Sequence, residues 1–325
     1  MNLSALIDSY RDRVVDRVTD PFGHAEYPLA RTLEHRGDPG LFGPDSVSWR
    51  VIGDASAFAG GVRALLVQAA HPEVVAGVAD HSSYRADPLG RLSRTSSYVT
   101  ATTFGAMPEV EQAVARVRHA HRPVTGRSHR KIAYSAGKPE FAAWVHNALT
   151  DSFLQAYQAF GPRPLTPEEA DRFVLEQTAV GRLLDADPLP ETASELASWI
   201  ALHPALEESP GMLETRSFLV DPPLDPVQRI GYQALYRGAL ATIPDRVRTI
   251  LDVQPTPLDH GVGRSFVRFL RWALGSSPSW QLSLVRMGAD IPDGLFRQPL
   301  PDSDVTTVGT QIRRARSEAR SSASA

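Results

Sequence analysis

The chain has 325 residues, 42% of them hydrophobic, enough to bury a sizeable core as one large domain or two coupled ones. It contains no cysteine, which excludes disulfides, thiolate nucleophiles, iron–sulfur clusters and cysteine-based zinc sites, and leaves histidine and carboxylate as possible metal ligands. The formal net charge of −3 gives no reason to expect nucleic acid. No run reaches the roughly 18 apolar residues of a membrane span, and the N-terminus lacks a signal peptide's apolar core, so a cytoplasmic protein without stable membrane insertion is expected.

In order, the pattern is helix after helix, without sustained period-2 alternation or an internal repeat. A first helix over residues 3–19 is ended by Pro21 and Gly23, and residues 20–45, rich in Pro, Gly and His, form an irregular connection. Asp45 or Ser46 caps a short helix through Ile52. Residues 54–70 are small and apolar on most faces, as in a buried helix whose Gly60 and Gly61 allow another backbone or a flat ligand to approach. Pro72 restarts a helix, with His71 at the junction and His81 at its end.

Asp87 and Pro88 then cap and open a helix to about Phe104. On it Arg91, Arg94, Thr95, Tyr98 and Thr102 recur every three or four residues, a polar stripe that is either a solvated face or the lining of a polar pocket. The next helix stops before Pro123. No acidic residue lies between Glu111 and Glu140, a stretch carrying seven basic residues, so it is a basic surface or a site that neutralises an anion such as a haem propionate, with His121 near its edge.

Residues 138–160 place Phe141, Val145, Leu149, Phe153, Ala156 and Phe160 at helical spacing, and His146 projects nearly in line with Leu149 and Phe153. It is either a buried neutral histidine held by one hydrogen bond or an axial ligand to haem iron. Thr166 with Glu169 three residues on forms a capping box for the following helix. Further helices follow, with His203 at a helix end and His260 in a loop, and no HExxH, GxSxG, phosphate-loop or dinucleotide motif appears.

Three separated segments, AAHPEVVAGVADHSSYRADPLGRLSRT, HRPVTG and WVHNALTDSFLQAYQAFG, together resemble the bacterial and fungal haem oxygenase superfamily of the latex-clearing proteins (rubber oxygenases) and the mycophenolic-acid-pathway oxygenase. The resemblance covers roughly residues 50 to 185. It implies an all-α fold with a globin-like core and additional helices, one haem b, and the use of O2 to cleave carbon–carbon double bonds of isoprenoid chains. It makes His146 the proximal iron ligand, matches Arg91 and Thr95 to the family's distal Arg and Thr, and puts Arg94 beside the cofactor, whose edge His121 would approach from the basic stretch.

Two departures stand out. Arg94 occupies the place of a lysine in the rubber oxygenases, and a guanidinium offers iron no lone pair, so a resting state capped by that side chain is not expected. The family's distal carboxylate has three candidates here, Glu73, Asp80 and Asp87. Without an export signal the expected substrate is a small hydrophobic alkene rather than extracellular rubber. The expected organisation is an N-terminal helix and connection over 1–45, a haem-binding domain over 46–300 and a disordered tail over 301–325. A haem-free helical binding protein, or a haem carrier or gas sensor, is the alternative on the same fold.

Overall fold

The computed structural model describes residues 3–19, 27–275 and 277–289. Among these residues the chain is mostly helical: fourteen α-helices, a 3-10 turn at Thr32–Glu34 and one two-stranded hairpin. In order they are α1 (Leu3–Thr19), α2 (Val47–Ile52), α3 (Ser56–Ala69), α4 (Pro72–His81), α5 (Pro88–Phe104), α6 (Met107–His121), the hairpin of β1 (Thr125–Arg127) and β2 (Ala133–Ser135), α7 (Pro139–Phe160), α8 (Pro167–Arg182), α9 (Ala193–Leu202), α10 (Pro210–Val220), α11 (Pro226–Leu240), α12 (Asp245–Leu251), α13 (Asp259–Leu274) and α14 (Pro278–Met287). None is long and apolar enough to cross a membrane.

Local signals set many boundaries. Ser46 accepts the Trp49 N–H at the start of α2, Asp87 accepts the Gly90 N–H at the start of α5, and both halves of the Thr166–Glu169 capping box are made. Pro72, Pro88 and Pro139 each open a helix, where a missing N–H costs nothing. The expectation of a loop at His260 needs correction: His260 is in the first turn of α13. Asp259 starts that helix early by accepting both the Thr256 N–H (2.7 Å) and its hydroxyl (2.9 Å). The hairpin leaves no mark in the sequence pattern, because three-residue strands are too short for alternation to show. Pro21, Gly23 and the tail at 301–325 lie outside the described residues.

The chain divides into two compact units. One comprises Met1–Asp45, Tyr84–Ala113 and Trp272–Ala325, the other Ser46–Ser83 and Val114–Arg271. In the first, the buried Arg286 of α14 ties distant segments together by donating to the Asp38 carbonyl (2.7 Å), the Thr32 hydroxyl (2.6 Å) and the Phe104 carbonyl (2.8 Å). The Phe104 carbonyl, at the end of α5, also accepts the Ser283 hydroxyl (2.6 Å), so two side chains of α14 satisfy it.

In the second unit α7 is the axis. Small residues of α3 let the two helices run close together: a methyl group on Gly60 would stand 2.8 Å from a Phe153 ring carbon and 3.2 Å from the Ser152 carbonyl. Arg63 of α3 crosses this seam to Asp151 (2.7 Å) and to the Ser152 hydroxyl (2.8 Å), with both charged side chains 2% exposed or less. Arg271 pairs with Asp54 and donates to the Phe160 carbonyl (2.7 Å), closing the C-terminal end of α7. α8 lies along another side of α7, and α10 and α11 pack on α3.

Candidate functional site

α7 carries His146 in its first half. The half-buried imidazole lies against α8: it donates to the Gln177 carbonyl, and a methyl on Gly181, one turn further along α8, would stand 2.9 Å from Cδ2 and 3.1 Å from Nε2. Nε2 also has the Thr150 hydroxyl at 3.4 Å. Burial drives the pKa down from 6.5 to about 4, so the ring is neutral at pH 7. Along the same helix Val145 is 37% exposed and Leu149 half-buried, so this stretch of α7 has an apolar surface that its neighbours leave partly open.

His121 ends α6. It is half-buried, burial holds its pKa below the ordinary value, and neither ring nitrogen has a hydrogen-bond partner among the described residues. An axial haem ligand has to be a neutral imidazole with one nitrogen held by a hydrogen bond and the other clear. His146 is neutral and held, but its Nε2 is hemmed by Thr150 and by the backbone at Gly181. His121 is neutral and clear, but not held. Each histidine meets part of that requirement, and rotation of the Thr150 hydroxyl away from Nε2 would complete it at His146.

The α5 stripe belongs to the other unit. Arg91 is half-buried and its guanidinium has no carboxylate partner among the described residues; burial lowers its pKa, and it lies over the Tyr84 ring, 5.8 Å from the centroid. Tyr98, two turns along on the same face, is half-buried with its phenol pKa pushed up by burial. Thr95 is exposed and its hydroxyl donates to the Arg91 carbonyl (3.0 Å). Arg94 is exposed too and pairs with Asp87 at 3.2 Å. The stripe is therefore mixed: Arg91 and Tyr98 are desolvated, whereas Arg94 and Thr95 face outward and are engaged locally.

The three candidate carboxylates all have structural partners. Burial alone would raise the pKa of Glu73, but hydrogen bonds from Arg130 (2.5 Å) and Ser128 (2.7 Å) outweigh it and hold the carboxyl ionised. Asp80 accepts from the Tyr134 hydroxyl at 2.5 Å, and Asp87 caps α5. His71, at the N-terminal end of α4, is buried against Trp144, Phe141 and His203, with its Nδ1 3.5 Å from Glu73 Oε2, and burial lowers its pKa to about 4.

A fourth carboxylate escapes sequence reasoning. Glu109, in the first turn of α6, is buried and raised in pKa by that burial even though the Ala106 N–H and the Thr32 hydroxyl both donate to Oε2. Its Oε1 has no partner, and neither has Nη2 of Arg286, whose Nη1 is 3.8 Å from Oε2. No local signal marks it, since Glu109 sits where an acidic first-turn residue is ordinary and Arg286 is remote in sequence.

A family model described as "ER-bound oxygenase mpaB/B'/Rubber oxygenase, catalytic domain" matches residues 49–272. The chain belongs to this oxygenase family. No curated protein and no solved structure matches it. The match spans both α5 and α7, so Arg91, Arg94, Thr95, His121 and His146 all lie within the oxygenase catalytic domain.

Proposed function

We propose that this oxygenase domain holds haem b in a globin-like helical core and uses O2 on a small hydrophobic alkene, cleaving a carbon–carbon double bond, in the cytoplasm. The observation that carries the reading is the family match over residues 49–272; the neutral imidazoles of α6 and α7 support it. A bound haem would supply the redox chemistry with O2. His146 would give iron the lone pair of Nε2 while the Gln177 carbonyl fixes the ring. Arg91, a desolvated cation without an internal counter-charge, would donate to an oxygen atom that gains negative charge, and Thr95 would join it by turning its hydroxyl from the Arg91 carbonyl. Arg94 would compensate a propionate after exchanging its Asp87 partner. The apolar Val145 and Leu149 surface of α7 would take the flat, hydrophobic part of a ligand.

One observation favours His121 as the axial ligand instead: it is the imidazole of the two with no partner on either nitrogen among the described residues. Optical titration with hemin decides between them. The wild type should bind saturably with a Soret band. His146→Ala should lose that binding while His121→Ala and His71→Ala keep it, with circular dichroism showing each variant folded; the reverse pattern moves the ligand to α6. If the folded wild type binds no hemin saturably, the haem reading fails and the chain is a haem-free member of the family. Haem binding without aerobic turnover of any alkene leaves a haem carrier or gas sensor.

A further inference from the structure

The hairpin between α6 and α7 has two unlike faces. Its inner face is fastened to α4: Ser128 and Arg130 hold the buried Glu73, Tyr134 holds Asp80, and His81 Nε2 meets the Thr125 carbonyl at 3.0 Å. Its outer face does no such work. Arg122, Arg127 and Lys131 are exposed, and among the described residues none of them has a carboxylate partner. The Arg127 guanidinium donates to the Lys131 carbonyl (2.9 Å), which braces the turn without neutralising either charge. Ile132, next to Lys131, is 48% exposed. The turn that presents it is closed by the Ser128 N–H on the Ile132 carbonyl (2.9 Å), with Lys131 at φ +63°.

We propose that this hairpin docks reversibly on an anionic lipid surface, with Arg122, Arg127 and Lys131 among the headgroups and Ile132 entering the interface. Such a contact needs neither haem nor the reaction. A cluster of cations on a chain of net charge −3 is a local feature that bulk charge does not explain. Cations alone would suit any polyanion; an exposed apolar side chain next to Lys131, in a turn that Arg127 braces and that is anchored to α4, adds what a bilayer interface accepts and a charged protein surface does not. Three cations and one aliphatic side chain suit a weak, reversible contact, and no described helix could supply a spanning anchor.

The test is co-sedimentation of the full chain with large unilamellar vesicles of phosphatidylcholine, with and without 30% phosphatidylserine, at low and high salt. Binding is expected only to the anionic vesicles and should fall as salt screens it. Arg122→Gln/Arg127→Gln/Lys131→Gln should weaken partitioning on the order of 100-fold, taking about five-fold per cation at the surface. Ile132→Ser should weaken it about three- to ten-fold. Arg268→Gln, an exposed cation of α13, should have no effect. All of these positions are exposed, and circular dichroism checks the fold. Absence of binding to anionic vesicles, binding that survives the triple substitution, or indifference to Ile132→Ser overturns the proposal. Retention on poly-glutamate without vesicle binding also overturns it and assigns the face to an acidic protein.

Discussion

The seam between α3 and α7 and the polar face of α5 both place arginine out of full contact with water, and they treat it in opposite ways. Arg63 in the seam meets a carboxylate, a hydroxyl and the Thr242 carbonyl within 3.2 Å. Arg91 on α5 meets none, only the flank of Tyr84. Burying a cation is tolerable when its donors are used and costly when they are not. A chain that satisfies one arginine so fully and leaves the other unmatched has made the first for stability. The second has donors that meet no acceptor among the described residues. The same contrast separates His146, half-buried and hydrogen-bonded, from His121, whose nitrogens have no partner among the described residues.

The sharpest way to break the contrast is at the seam. Asp151→Ala removes the counter-charge of Arg63 at a place where side-chain exposure is 1–2%, leaving a buried, unpaired guanidinium. The expected loss is about 3–5 kcal/mol of unfolding free energy, read from denaturant melts. Replacing both partners together, as Arg63→Met with Asp151→Leu, should recover most of that loss, since no charge is then left stranded. A single variant of wild-type stability would show that water already reaches the seam.

A smaller effect follows from the enclosed imidazoles. His71 and His146 both have folded pKa values near 4, lowered mainly by burial, against about 6.5 in an unfolded chain. The unfolded chain therefore binds more protons than the fold between those values. Their contribution is intact above about pH 6.5, declines as the pH falls, and is largely gone near pH 4, by roughly 3 kcal/mol for each ring. Stability should drop between pH 6.5 and 4, and His146→Gln should flatten that slope by about half, measured by urea melts across the range. An unchanged slope in the variant would mean that His146 keeps access to water in the fold.

Much of the helical layout could be read from periodicity and punctuation, because caps and first-turn prolines act within four residues of where they stand: Ser46, Asp87 with Pro88, and Thr166 with Glu169 all do what their spacing indicates. The placing of His146 on a helix could be read for the same reason. What could not be read is whether its nitrogens are free, because Gln177 and Gly181 come from another helix. Nor could the stripe on α5 be sorted into desolvated Arg91 and Tyr98 against exposed Arg94 and Thr95, since all four obey one helical repeat. The pairings of Glu73 with Arg130 and of Glu109 with Thr32 and Arg286 are tertiary, so the first was open to misreading as a catalytic carboxylate and the second left no trace.

The smallest expected effect lies on α5 and completes the comparison. Arg91→Ala deletes a half-buried cation that has no carboxylate to strand. What the fold loses is a ring contact with Tyr84 at 5.8 Å, worth about 0.5–1 kcal/mol at most, and what it regains is the desolvation cost of an unpaired charge. The two oppose each other, so the variant should melt within about 1 kcal/mol of wild type, unlike the Asp151→Ala variant. If Arg91 serves the oxygenase reaction as proposed, turnover with O2 should fall on the order of 100-fold in the same variant, because a donor aimed at developing charge in a dry site is lost. A melt lowered by more than about 2 kcal/mol would show that Arg91 is held by the protein after all, and would make it a second Arg63. Full stability with full turnover would leave its unused donors without a purpose in catalysis and move the search for the oxygen-facing side chain to Tyr98.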